Sequence, residues 1–130
     1  MKKIFSILLI ASSLFASYMA PMHVSGSQYV DSQKAYEMFK KGAKFIDVRP
    51  PRFLKNGKIK NAHHLYVGSF SKQKLNSIAK ENENIIIYCN GQSCSLTAEA
   101  IVKAVDYGYK NIFYYRDGYP AWKHYKLPIE

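Results

Sequence analysis

From Tyr29 onward, short apolar runs alternate with segments whose apolar residues recur at helical spacing. Asp31 or Ser32 can cap a helix that carries Ala35, Met38 and Phe39 on one face and stops at Gly42. Phe45 to Val48 then reads as a strand, broken by Pro50 and Pro51. Arg52 to Tyr66 is a loop-rich connection with a short strand around Ala62 to Leu65. Ser71 opens a second helix, with Leu75, Ile78 and Ala79 at helical spacing and an end at Asn82 to Asn84. Ile85, Ile86, Ile87 and Tyr88 form a continuous apolar run rich in β-branched residues, the pattern of a central parallel strand covered on both faces. The clearest helix follows, with Ala98, Ile101, Val102 and Val105 at i, i+3, i+4 and i+7 and a stop at Gly108. Asn111 to Tyr115 is the next strand, and Gly118 to Trp122 turns into a short helix. Strands alternating with helices predict an α/β layer fold with a mainly parallel sheet.

A length of 130 residues supports one domain of this kind. The N-terminus stands apart from it. Met1, Lys2 and Lys3 precede an apolar stretch from Ile4 to Ala16, the basic start and short apolar core of an export signal. The stretch is shorter than the roughly 20 apolar residues a membrane span needs, so removal is expected and no stable membrane anchor remains afterwards. Ala16 and Ala20 are candidate cut sites, and we divide the chain into a signal segment at 1–20 and a domain at 21–130. No cysteine lies near the cut, which excludes acylation of a lipoprotein type. The expected address is periplasmic or secreted.

The formal net charge is +10, which directs attention to anionic partners. The lysines are scattered, however, and lack the basic and aromatic interleaving of a nucleic-acid platform. A solvated basic surface and no nucleic-acid partner are the expectation.

Candidate chemistry concentrates at Cys89. It stands directly after the central strand and before the best helix, at the carboxyl end of the sheet, where open α/β folds bind ligands. The short loop Asn90-Gly91-Gln92-Ser93 can turn its backbone N–H groups inward as an anion nest, supported by the positive end of the following helix. Such a setting lowers a thiol pKa from its ordinary value of about 8.5 and makes the sulfur nucleophilic. The small polar loop residues argue against an apolar grave for Cys89. Cys94, in the same loop, admits a disulfide in an oxidising compartment. Cys89, Cys94, His63 and His64 lack the usual zinc-ligand spacings, so no metal and no cofactor are expected.

Four segments in order resemble the rhodanese-like domain, the single-domain sulfurtransferase family, over roughly Tyr29 to Glu130. Phe45-Ile46-Asp47-Val48-Arg49 is similar to the family's strand ending in Asp-Val-Arg. Gly57-Lys58-Ile59-Lys60-Asn61-Ala62 is similar to its Gly-His-Ile-x-x-Ala segment, with Lys58 replacing the histidine. Ile87-Tyr88-Cys89 resembles its strand and catalytic cysteine, and Arg116 to Trp122 resembles its closing element, with Asp117 in place of the first glycine. The resemblance implies a five-stranded parallel sheet flanked by helices, with Cys89 at the base of a six-residue cradle and able to form a persulfide. The loop, Asn90, Gly91, Gln92, Ser93, Cys94 and Ser95, carries no cation and is similar to a Cys-Asn-Gly-x-x-Cys variant.

Three readings follow. The first is a sulfurtransferase, expected as a monomer, that moves sulfane sulfur from a small anionic donor such as thiosulfate or polysulfide to a thiol or cyanide through a Cys89 persulfide. Here Arg49 and Arg116 steer the donor or serve as structural ion-pair residues, and Asp47 orients. The second is a thiol redox switch in which Cys94 resolves Cys89, opposed by the prospect that the cradle points Cys94 away. The third is a sulfide-sensing or docking module without turnover.

Overall fold

A computed structural model describes residues 19–130. The expected signal segment therefore lies outside the described residues except at its last two positions. The strands are β1 (Ser27–Tyr29), β2 (Lys44–Asp47), β3 (His63–His64), β4 (Ile85–Tyr88) and β5 (Ile112–Tyr115). The helices are α1 (Ser32–Lys40), α2 (Lys72–Ile78), α3 (Leu96–Asp106) and α4 (Gly118–His124). The strands form one parallel sheet in the order β1-β5-β4-β2-β3. The all-isoleucine start of β4 thus lies in the centre, where both faces demand apolar side chains.

Alternation along the strands divides the core in two. Ile46, Val48, Ile85, Ile87, Ile112 and Tyr114 pack with Leu75 of α2 and Ala100, Ile101 and Ala104 of α3. Phe45, Ile86, Tyr88 and Tyr115 pack on the opposite side with Ala35 and Met38 of α1 and Tyr119 and Trp122 of α4. The Trp122 indole meets Phe39, Phe45 and Tyr115 edge-on and donates to Pro128 O at 2.7 Å.

The caps fall where local chemistry puts them: Asp31 Oδ1 accepts from Lys34 N at 2.8 Å and Ser71 Oγ from Lys74 N at 3.2 Å. Two expectations need correction, and one strand lies outside what the sequence pattern predicts. Helix α3 buries Thr97, Ala100, Ile101 and Ala104, one position off the expected ridge, and Val102 is 54% exposed. Small residues let this helix lie close to the sheet, so size outranks hydrophobicity in setting its phase. Helix α2 ends at Ile78 instead of near Asn82, because tertiary partners take its last carbonyls: Lys44 Nζ donates to Ile78 O, and Tyr109 Oη lies 2.6 Å from Ala79 O. Strand β1 has no apolar run to announce it; it is a short edge strand with exposed side chains, held by pairing to β5.

Among the described residues, no helix is long and apolar enough to cross a membrane.

Candidate active site

The alternation that places Ile85 and Ile87 on the α2 and α3 side places Cys89 there too. Beyond Cys89 the chain must turn back into α3 within a few residues. Gly91 adopts φ +112°, and Cys94 N donates to Gly91 O at 3.0 Å to close the turn. The loop is seated from below by the segment after β5, where Tyr119 N donates to Cys89 O at 2.9 Å. At Gly118, with φ +65°, an added Cβ would stand 2.4 Å from Cys89 O and 2.8 Å from Gly91 N. Only glycine fits there.

Side chains and the N-terminal segment fix the loop from the outside. Gln92 Nε2 donates to Asp117 Oδ1 at 2.8 Å, and the Tyr29 hydroxyl donates to Asp117 Oδ2 at 3.1 Å. Burial, reinforced by the Asp117 carboxylate, raises the Tyr29 pKa and keeps it a donor. Ala20 N donates to Gln92 O at 2.7 Å. Among the described residues, the backbone N–H groups of Asn90, Gly91, Gln92 and Ser93 have no protein acceptor. Asn90 to Ser93 also line an open pocket of about 1020 Å³, together with Met19, Asp31, Tyr36, Asp117 and Tyr125.

Cys89 and Cys94 are joined as a disulfide with their Cα atoms 6.4 Å apart. The expectation that the cradle directs Cys94 away from Cys89 is therefore corrected: a six-residue turn returns the chain within the 4.4 to 6.8 Å window that such a bond needs. A second correction concerns burial. Cys89 is 2% exposed and belongs to the core on the α3 side, despite its polar loop, because strand alternation points it inward. Cys94 is half-buried, Ser93 is exposed and Ser95 precedes α3 without making a side-chain cap bond.

Both arginines are held by acceptors within the protein, as the structural one of their two expected roles requires. Arg49 is 1% exposed, its Nε donating to both Asp47 oxygens at 3.0 Å and its Nη2 to Asp47 Oδ2 at 2.6 Å and Gly57 O at 2.8 Å. Its guanidinium also stacks 4.4 Å from the Tyr119 ring centroid. Asp47 orients this arginine, together with the Tyr88 hydroxyl that donates to it at 2.8 Å, and does not orient the cysteine. Burial and the Asp47 charge push the Tyr88 pKa well above its ordinary value. Arg116, 6% exposed, donates through Nε and Nη2 to Ala20 O at 3.2 and 2.9 Å. Both arginines point into the protein because each finds acceptors there that solvent would otherwise have to replace.

Sequence reasoning missed the loop's supports, Ala20, Tyr29, Asp117 and Gly118. Ala20 falls at the end of the expected signal segment, and the others act through contacts that no periodicity encodes. The histidines stand apart: His64 places a ring nitrogen 2.7 Å from Arg49 O, and burial next to Lys44 and Lys58 lowers the His63 pKa. Among the described residues there is no group of three or more His, Cys, Asp or Glu side chains placed to hold a metal ion.

Comparison with known proteins places this geometry. The chain is 31% identical over 102 residues to the thiosulfate sulfurtransferase GlpE of Haemophilus influenzae, covering 78% of this chain and 92% of that protein. The fold is shared with the 30 kDa polysulfide-sulfur transferase homodimer of Wolinella succinogenes, at a TM-score of 0.68, 23% identity and coverage of 88% and 82%. It is also shared with the BH2092 protein of Bacillus halodurans, at a TM-score of 0.71, 23% identity and coverage of 80% and 77%. The signature of the rhodanese-like domain matches residues 31–125, and with a five-stranded parallel sheet that delivers Cys89 into a loop before a helix, the chain belongs to the rhodanese-like domain family.

Proposed function

We propose that the reduced chain is a sulfurtransferase that takes sulfane sulfur onto Cys89 and passes it to a thiol or to cyanide. The carrying observation is the position of Cys89 at the end of the central strand, beneath a loop whose four N–H groups are uncommitted. These donors, at the start of α3, suit the negative charge of a thiolate or persulfide. The thiosulfate sulfurtransferase relative supports this reaction class.

With thiosulfate as donor, the Cys89 thiolate attacks the outer sulfur, the sulfur–sulfur bond of the donor breaks, and sulfite leaves with the electron pair. With a polysulfide, the leaving group is the shortened chain. Both arginines are engaged internally, so donor charge is met by backbone dipoles instead of a side-chain cation. A small anionic donor and a thiol acceptor are the proposed partners, with the chain acting as a monomer.

The proposed address is outside the cytoplasm, after removal of an export signal, as the pattern of Lys2, Lys3 and Ile4 to Ala16 suggests. Of the two candidate cuts, the one after Ala16 keeps Ala20 on the mature chain and with it the acceptor of Arg116.

Incubating the reduced chain with thiosulfate or polysulfide and measuring intact mass tests the chemistry. A gain of one sulfur atom is expected in Cys94→Ser, where Cys89 is the one remaining thiol, and none when Cys89 is also changed to alanine. No gain in Cys94→Ser, or an equal gain in the chain lacking both cysteines, removes the proposal.

A further inference from the structure

Resting on that reading, we propose that this chain also discharges its persulfide internally: Cys94 attacks Cys89, hydrosulfide leaves, and the product is the Cys89–Cys94 disulfide. The chain is thereby a dithiol-dependent hydrosulfide-releasing enzyme. Two observations carry this. The Sγ atoms of Cys89 and Cys94 are bonded in the folded loop, and both residues lie in the connection between β4 and α3. The disulfide also joins a residue that is 2% exposed, Cys89, to one that is half-buried, Cys94, so the two ends differ in access.

The persulfide carries its extra sulfur on Cys89 Sγ, the atom that Cys94 Sγ contacts in the disulfide. Attack by the Cys94 thiol on Cys89 Sγ forms the Cys89–Cys94 bond and breaks the bond to the outer sulfur. The outer sulfur leaves with the electron pair and takes up the proton from Cys94, appearing as hydrosulfide. The two cysteines are together oxidised by two electrons and the sulfane sulfur is reduced by two. A further round requires an external dithiol, which is oxidised to its own disulfide as Cys89 and Cys94 return to thiols.

Access decides where that dithiol enters. In the disulfide Cys89 is 2% exposed and Cys94 half-buried, so the incoming thiolate meets Cys94 and expels Cys89 as the leaving thiolate, which is then free to take up sulfur again. The attack regenerates the sulfur-accepting group directly. The preferred acceptor is thus a dithiol reductant, and a monothiol or cyanide competes with Cys94 for the persulfide.

The test is a single loading under anaerobic conditions. Fully reduced, desalted chain is mixed with one equivalent of polysulfide and no added thiol, and free hydrosulfide and intact mass are followed together. Hydrosulfide set free as the donor's own leaving group on transfer is read from Cys94→Ser, and that set free without transfer from Cys89→Ser. The wild type is expected to release a further equivalent of hydrosulfide, stop, and finish two hydrogen masses below the reduced chain with no retained sulfur. Cys94→Ser is expected to keep the added sulfur and release it only when dithiothreitol is supplied. A wild type that retains the added sulfur without release overturns internal discharge and leaves the sulfurtransferase reading standing. Equal release from wild type and Cys94→Ser overturns it too. If neither protein gains or releases sulfur, the sulfurtransferase reading itself fails.

Discussion

Tyr88 and Cys89 are neighbours in the chain, yet they open onto two opposite kinds of site. Tyr88 faces the α1 and α4 side and joins Asp47, Arg49 and the Ile59 amide in a buried network whose groups are all mutually satisfied. Cys89 faces the α3 side below a loop that leaves four amides uncommitted and holds a bond that reductants can open. The first region spends its hydrogen-bonding groups on one another and ties β2, β4 and the Gly57–Ile59 segment together. The second keeps capacity in reserve, which a reactive site requires. Charge alone does not identify function here: the buried cations belong to the scaffold, and the reactive loop has none.

Removing one partner from the satisfied network breaks this contrast most severely. Arg49→Ala leaves Asp47 buried without its counter-ion and is expected to cost about 3–5 kcal/mol of stability. Denaturant unfolding measures this, while sulfur uptake per folded molecule stays near the wild-type level. Gly118→Ala drives a Cβ into the Cys89 carbonyl at a positive φ and is expected to cost about 3 kcal/mol. Unlike Arg49→Ala, it also slows sulfur uptake in stopped-flow mass analysis, because the colliding atoms belong to the loop.

Reducing the disulfide opens a six-residue ring and is expected to cost about 2 kcal/mol by chain entropy. Thermal unfolding with and without dithiothreitol measures this loss, and Cys94→Ser should show the same midpoint in both. The smallest effect is at alkaline pH. Burial pushes the Tyr115 pKa from 10.0 up to about 12. A tyrosine with a raised folded pKa contributes stability that is complete below pH 10 and is lost as pH rises towards 12. Tyr115→Phe loses the bond to Ser32 Oγ at 2.6 Å, about 1 kcal/mol near neutrality, and flattens the fall in stability above pH 10. An unchanged alkaline slope in Tyr115→Phe would assign that fall to the other buried tyrosines.

Much of this molecule was legible along the chain. The capping of α1 by Asp31 and of α2 by Ser71 follows from local side-chain chemistry, and the apolar run of β4 announces its central place. The placement of Cys89 at the end of that strand follows from the same pattern. Helix α3 was legible in period but not in phase, because Val102 reads as a core residue until the close approach of the sheet selects Ala100 and Ala104 instead. For the arginines the sequence offered two roles, donor steering or a structural ion pair, and did not choose between them. A guanidinium reaches solvent or core with equal ease, and only the acceptors that other segments supply decide which.

By itself, the sequence determined four of the five strands, the four helices and which cysteine ends the middle strand, since these depend on residues a few positions apart; the edge strand β1 needed its partner β5. Folding in three dimensions decided the rest. It turned Arg49 onto Asp47 and Arg116 onto Ala20, brought Asp117 under Gln92, and joined Cys94 to Cys89. Those choices depend on which atoms meet when separate elements stack, and no regularity along the chain encodes such meetings.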